Sequence, residues 1–316
     1  MLPHHCFPLL RCSIVLLGSC LLCLASQGCS TLGQGTAVRL IGHMAERGMP
    51  AYLRETDLLL AESALAASLK LTEALLESAP TDTRLLLQVV QGLAGYTYAF
   101  VEVQREAALG RDAALVTLHT QRAQHFYQRG LYYGGRLLSQ YHAPLAQVAT
   151  LPLETLQRHL EQLNREAVPA LFWTSFCWGG TLNLSRTSLE TATALPRLQA
   201  LLSRLLVLDE TYFDGAPHLL QAVQAASFSA TLGGDPTQAQ HHFARAQRLS
   251  QGRLLLVPLL EAQYYAVQIQ DRALFTQRLR AILETPETVF PAQGLLNAVA
   301  RHRAALLLRR IDELFF

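Results

Sequence analysis

The sequence predicts an all-α fold of stacked antiparallel helix pairs, on three observations. Apolar residues recur at helical spacing from residue 51 onward, and no segment sustains the alternation of a strand. Short turns with recognisable caps separate the periodic segments, so neighbouring helices run antiparallel. Ala239, Phe243 and Ala246 in TQAQHHFARAQRL have the small–aromatic–small spacing of the second helix of a tetratricopeptide repeat, where small residues let paired helices approach closely. Ala74, Leu75 and Pro80 in TEALLESAPTD resemble the end of another such unit, one residue out of step. HFYQRGLYYGGRLL from His125 also echoes HFARAQRLSQGRLL from His242. Together these features give a degenerate tetratricopeptide-like array.

In 316 residues, 50% of them hydrophobic, there is material for a large apolar core. The formal charge of +2 and the 16% of charged residues leave a surface rich in Gln, Ser and Thr. Of the 26 basic residues only Lys70 is lysine, and the arginines are spread along the chain, not gathered into a stripe, which argues against nucleic acid as a partner.

Taken in order, the chain opens with MLPHHCFPLLRCSIVLLGSCLLCLASQGCS. One positive residue, Arg11, precedes an apolar run from Cys12 to Ala25 and a small-residue end, the layout of a secretory signal over residues 1–28 and too short for a membrane span. The run ends at Ser26-Gln27-Gly28-Cys29. A bacterial lipoprotein signal ends in small residues before a cysteine whose sulfur takes the lipid and whose freed amine is acylated, so Cys29 is the expected lipidation site. Leu17-Gly18-Ser19-Cys20 fits the pattern of small residues better but leaves too short an apolar run before it, and it stays as the alternative; an unlipidated secretory signal is the plainer one. With Cys29 as first residue, Cys177 is the one further thiol, and stability rests on packing without a disulfide. The expected location is the periplasm, lipid-anchored to the inner or outer membrane.

Residues 29–50, with four glycines and little periodicity, read as a tether; 51–316 read as one all-helical domain. Helices are expected at 51–79, 82–109, 111–142, 152–166, 169–184, 195–210, 216–228, 236–250, 254–270, 271–284 and 291–314. Asp235-Pro236-Thr237-Gln238 supplies an Asp cap, a proline at the first helical position and a Gln placed for a capping box. Asp82 or Thr81 caps the helix after Pro80, and Thr285-Pro286 and Phe290-Pro291 mark a break. In TRLLLQVVQGLAGYTYAFVEVQ and PALFWTSFCWGGTLNL the apolar residues surround the helix, which requires neighbours on several sides.

Chemistry is scarce. His241 and His242 are adjacent and point about 100° apart, His119 and His125 lack a spaced partner, and His302 sits between Arg301 and Arg303, so neither a metal nor another cofactor is expected. Cys177 in FWTSFCWGG reads as core packing. Asp209-Glu210 reads as a capped helix end, and the pairs Gly134-Gly135 and Gly179-Gly180 as places where helices or a ligand approach backbone. Aromatics are the candidates for a ligand groove or a docking face: Tyr96, Phe126, Tyr132, Tyr133, Trp173, Trp178, Tyr264 and Tyr265, each also accountable as core packing.

LKLTEALLESAP at 69–80, GLAGYTYAFVEVQRE at 92–106, RAQHFYQRGLYYGGRLL at 122–138, FWTSFCWGG at 172–180, GGDPTQAQHHFARAQRLSQGR at 233–253, YYAVQIQDRALF at 264–275 and LNAVARHRAALLLRRIDELF at 296–315 resemble, in order along the chain, the T-component family of tripartite periplasmic (TRAP) transporters. The resemblance implies a treponemal-type lipoprotein of cryptic tetratricopeptide-like helix pairs, acylated at Cys29. It further implies a homotrimer with channels through its subunits that pairs with the solute-binding P component, whose ligand is hydrophobic. The alternatives are a generic envelope-assembly scaffold and, less favoured, a helical lyase or lipid hydrolase built on His125, Tyr133 and Arg136.

Overall fold

The computed structural model describes residues 40, 42–44, 46–186 and 188–315. The signal segment, Cys29 and most of the expected tether lie outside the described residues. All regular structure among the described residues is helical.

Helix α1 (Leu58–Ser78) is capped by Asp57, whose carboxylate accepts from the amides of Leu59 and Leu60. Helix α2 (Thr83–Tyr96), capped in the same way by Asp82, runs through a π-helical turn (Thr97–Val101) into α3 (Glu102–Ala108). Asp112 caps α4 (Ala113–Ser139). There follow α5 (Leu153–Glu161), α6 (Val168–Leu184), α7 (Leu189–Asp209) and α8 (Tyr212–Ser227). Next come α9 (Pro236–Leu249) and α10 (Leu256–Leu260), which continues into a second π-helical segment (Glu261–Ala266). The chain closes with α11 (Arg272–Glu284), α12 (Gly294–Arg309) and α13 (Ile311–Leu314).

Several expectations need correction. The helix expected over 51–79 is two: residues 46–54 are helical, residues 55–57 are not, and Asp57 starts α1 afresh. Helix therefore extends into the expected tether, where the carbonyl of Gly42 accepts from Gln88 Nε2 at 2.9 Å. Helix α7 begins at Leu189, not 195, with Pro196 inside it; Ser188 Oγ accepts from the Thr191 amide, and Arg197 gives Thr193 O a donor next to the proline. Asp235 caps α9 as expected, but its own amide donates to Ala225 O instead of completing a capping box with Gln238. The echo of His125 and His242 is not structural: the first segment lies within α4, whereas the second ends α9 and turns at Gln251 and Gly252, both at positive φ.

The largest core is built by α1, α2 and α4–α7. Helices α8 and α9 form a close pair in which Ala222, Ala225 and Ala226 meet Ala239, Phe243 and Ala246, all buried, so the small residues do set the approach that their spacing predicted. A third core joins α10 to α11, α12 and Phe315. Helix α12 then returns to the start of the chain, where Leu295 and Val299 pack with Ala61, Ala99 and Phe100.

Candidate functional site: an apolar cavity with a buried polar end

Helix α6 is apolar around its circumference because it has neighbours on both sides. Towards α4 the contact depends on glycine: a Cβ on Gly134 would lie 2.5 Å from Thr174 Oγ1, one on Gly180 would lie 2.6 Å from the Tyr127 ring, and Gly130 leaves room for the Cys177 sulfur. Cys177 is fully buried there, and burial pushes its thiol up, away from the reactive thiolate.

The opposite face carries Phe172, Ser175, Phe176, Gly179 and Asn183, a stripe at i, i+3, i+4, i+7 and i+11, and this stripe lines a cavity of about 130 Å³. Leu198 and Leu202 of α7 form a second wall, and Ala216, Leu219, Leu220, Val223 and Gln224 of α8 a third. Leu254, Leu256, Leu260 and Tyr264 close it from α10 and its π segment, with Gly95, Tyr98, Glu102 and Tyr127 at the far end. An apolar cavity of roughly 150 Å³ is enough to hold benzene.

Two features of the wall are unusual. Tyr98 and Tyr264 each sit in a π-helical turn, a distortion frequent at functional sites. Phe213, at the kinked start of α8, lies at φ 47 next to Asp214 at φ 59, two successive non-glycine residues in the left-handed region, where each costs about 1–2 kcal/mol.

Behind Tyr98 lies a buried charge cluster. Arg303 of α12 is 0% exposed; its Nε donates to Glu106 Oε2 at 3.0 Å, its Nη2 to both Glu106 and Glu102, and its Nη1 to Tyr98 O at 3.4 Å. The guanidinium also lies 4.2 Å from the centre of the Tyr98 ring. Gln263 Nε2 donates to Glu106 and Tyr127 Oη to Glu102. Burial raises the Glu102 carboxyl above its ordinary range, against the pull of Arg303. Tyr98, Tyr127 and Tyr264 are pushed up by burial too, so their hydroxyls are neutral donors.

A second cluster lies on the α8–α9 pair. His218 Nδ1 and His242 Nδ1 are 2.8 Å apart, His218 Nε2 faces Glu210 Oε2 at 2.9 Å, and Arg245 donates to both oxygens of Glu210. Arg245 and His218 together pull Glu210 down to about 2. Burial, with the neighbouring His218 and His241, pushes His242 down to about 4. Among the described residues no group of three His, Cys, Asp or Glu is placed to hold a metal ion.

The eight aromatic candidates separate into three places. Trp173 and Tyr264 line the cavity. Trp178 and Tyr265 are buried in the core and present no face to a partner. Tyr96 and Phe126 pack on each other at 6.0 Å, and Tyr133 packs on the largely exposed Tyr132 and on Arg136, along α2 and the outer side of α4. His125, Tyr133 and Arg136, the residues of the enzyme alternative, form no cleft: His125 is exposed and lies eight residues from Tyr133, about 12 Å along the helix.

Sequence reading missed the Glu102–Glu106–Arg303 cluster, although two carboxylates at i, i+4 directly after an apolar helical run are a visible signal. It also gave Glu210 only a solvated role at a helix end, where Asp209 does serve the turn by accepting from Thr211 while Glu210 joins His218 and Arg245.

A family model described as TRAP transporter T-component matches residues 54–315. No curated protein matches the chain.

Proposed function

The chain belongs to the TRAP transporter T-component family, a part of a transport system, and we propose that it is a non-enzymatic periplasmic lipoprotein that docks the solute-binding P component and receives a hydrophobic solute. The observation that supports a solute-handling role is the cavity beside α6. It has walls from helices widely separated along the chain, is apolar along most of its length, and is lined at two π turns and a left-handed turn. A chain needing only a docking face would gain more stability by filling that space with side chains. Anchorage through Cys29, stacking as a tetratricopeptide-like array and assembly as a homotrimer belong to the same proposal. No described helix is long and apolar enough to cross a membrane, so an N-terminal lipid would supply the attachment.

The test is gentle crosslinking of the acylated protein in its native membrane, followed by mass spectrometry. A periplasmic solute-binding protein recovered in stoichiometric amount is the expected result. Recovery of other envelope proteins alone, under conditions where crosslinking demonstrably works, would replace this reading with a generic assembly scaffold.

A further inference from the structure

Resting on the reading of the cavity as a solute site, we propose that it selects uncharged amphiphiles, apolar molecules bearing hydroxyl or carbonyl groups, and rejects carboxylate anions. Three polar atoms on its wall have no partner: Ser175 Oγ, Tyr98 Oη and Asn183 Oδ1. Ser175 is 1% exposed, so water does not satisfy it from outside. Ser175 and Asn183 lie on one stripe of α6, eight residues and about 12 Å apart. The unpartnered groups are thus spread along the wall, not gathered at one point. A pure hydrocarbon would leave all of them unpaired, whereas a molecule with polar groups at intervals would satisfy them.

The charge at the far end argues against an anion. Glu102 and Glu106 share a single guanidinium, and the Nε, Nη1 and Nη2 of Arg303 are already engaged with Glu106, Tyr98 O and both glutamates. Gln263 and Tyr127, the other donors at that end, are likewise spent on Glu106 and Glu102. Arg186 stacks 5.3 Å from the Tyr264 ring centre but is exposed, where solvent screens it. A carboxylate entering here would be desolvated beside two carboxyl groups that already share one guanidinium, would bear the same burial cost that raises Glu102, and would find no unengaged cation at that end among the described residues. An alcohol or ketone meets neutral donors and an amide acceptor.

Titration of the full-length protein with 1-octanol and with octanoate at neutral pH tests this, read by tryptophan emission, since Trp173 lines the cavity, and by calorimetry. Octanol is expected to bind at least ~10-fold more tightly, and the ratio to fall below ~3 in Glu102→Gln, which keeps the side chain's shape and one acceptor oxygen while removing one carboxyl group of the pair. If Glu102→Gln does not melt cooperatively, Glu106→Gln removes the other carboxyl group of the pair. Octanoate binding as tightly as octanol overturns the selectivity and leaves the solute site standing. A ratio unchanged in the glutamine variant also overturns it, because the preference would then come from partitioning alone. Failure of both molecules to bind overturns the selectivity and the solute site together.

Discussion

Helix α6 has two faces of similar composition that do opposite things. Against α4 it is packed so closely that glycine is required at 130, 134 and 180; against α7 and α8 it stands off and leaves a cavity. Each face carries aromatic and small residues, so residue type does not separate packing from binding. What separates them is the state of the polar atoms. Thr174, on the tight face, donates to Ala170 O at 2.7 Å, whereas Ser175, one residue along and turned to the cavity, has no partner.

The largest effect that sharpens this contrast lies at the cavity's polar end. Arg303→Met leaves Glu102 and Glu106 buried without their cation and is expected to cost about 3–5 kcal/mol, seen as a lowered denaturant midpoint or loss of soluble protein. Next is the glycine pair. Gly134→Ala forces a Cβ onto Thr174 and should cost about 1–3 kcal/mol, while Gly179→Ala, whose Cβ meets Leu198 at an ordinary 3.7 Å, should gain up to ~1 kcal/mol from helix propensity. Equal melting temperatures for these two variants would break the distinction between the faces.

The wall formed by α8 supplies a pH test. His242 of α9, 2.8 Å from His218 of α8, is pushed down to about 4 from an ordinary 6.5, mainly because it is buried, so the fold favours its neutral form. That stability is fully present above pH 6.5 and is lost as the pH falls from about 6.5 towards 4. Melting temperature should decline across that window by the equivalent of on the order of 1–2 kcal/mol, allowing for partial exposure, and His242→Gln should flatten the decline. The smallest effect expected is from Ser175→Ala: removing an unpartnered buried hydroxyl should raise ligand-free stability by about 1 kcal/mol and weaken binding of a hydroxylated ligand. A destabilised Ser175→Ala protein would mean that the hydroxyl is satisfied and the cavity wall less polar than described.

Most of the helices were legible because their signals are local. Asp82 and Asp235 sit one residue before a helix and bond its first amides, and such caps need no knowledge of the rest of the chain; Asp57 and Asp112 do the same, but lie inside the helices expected at 51–79 and 111–142 and were not read as caps. The circumferential apolarity of α6 was legible as a demand for neighbours on several sides, but not which side would be left open. The polar end was illegible for a reason of distance: Arg303 meets Glu106 across 197 positions, and flanked by Arg301 and His302 it looks like one of a surface run. The start of α7 is expected six residues late, at 195, whereas the helix runs from Leu189 through Pro196 with Ser188 and Arg197 supporting the chain on either side.

The two π turns bear on how such a site could be gained or lost in descent. A π turn holds one residue more than the α turn it replaces, so Thr97–Val101 and Glu261–Ala266 each amount to a single inserted codon tolerated inside a helix. Deleting one residue from either would restore ordinary α geometry within that turn and re-aim the side chains it carries, while the flanking helix keeps its register. Tyr98 or Tyr264 would then swing off the cavity wall while the helix around it became more regular. Substitution can only trim this site, whereas a change of one residue in chain length can abolish it, so relatives with a shorter turn at either position are expected to share the fold without the cavity.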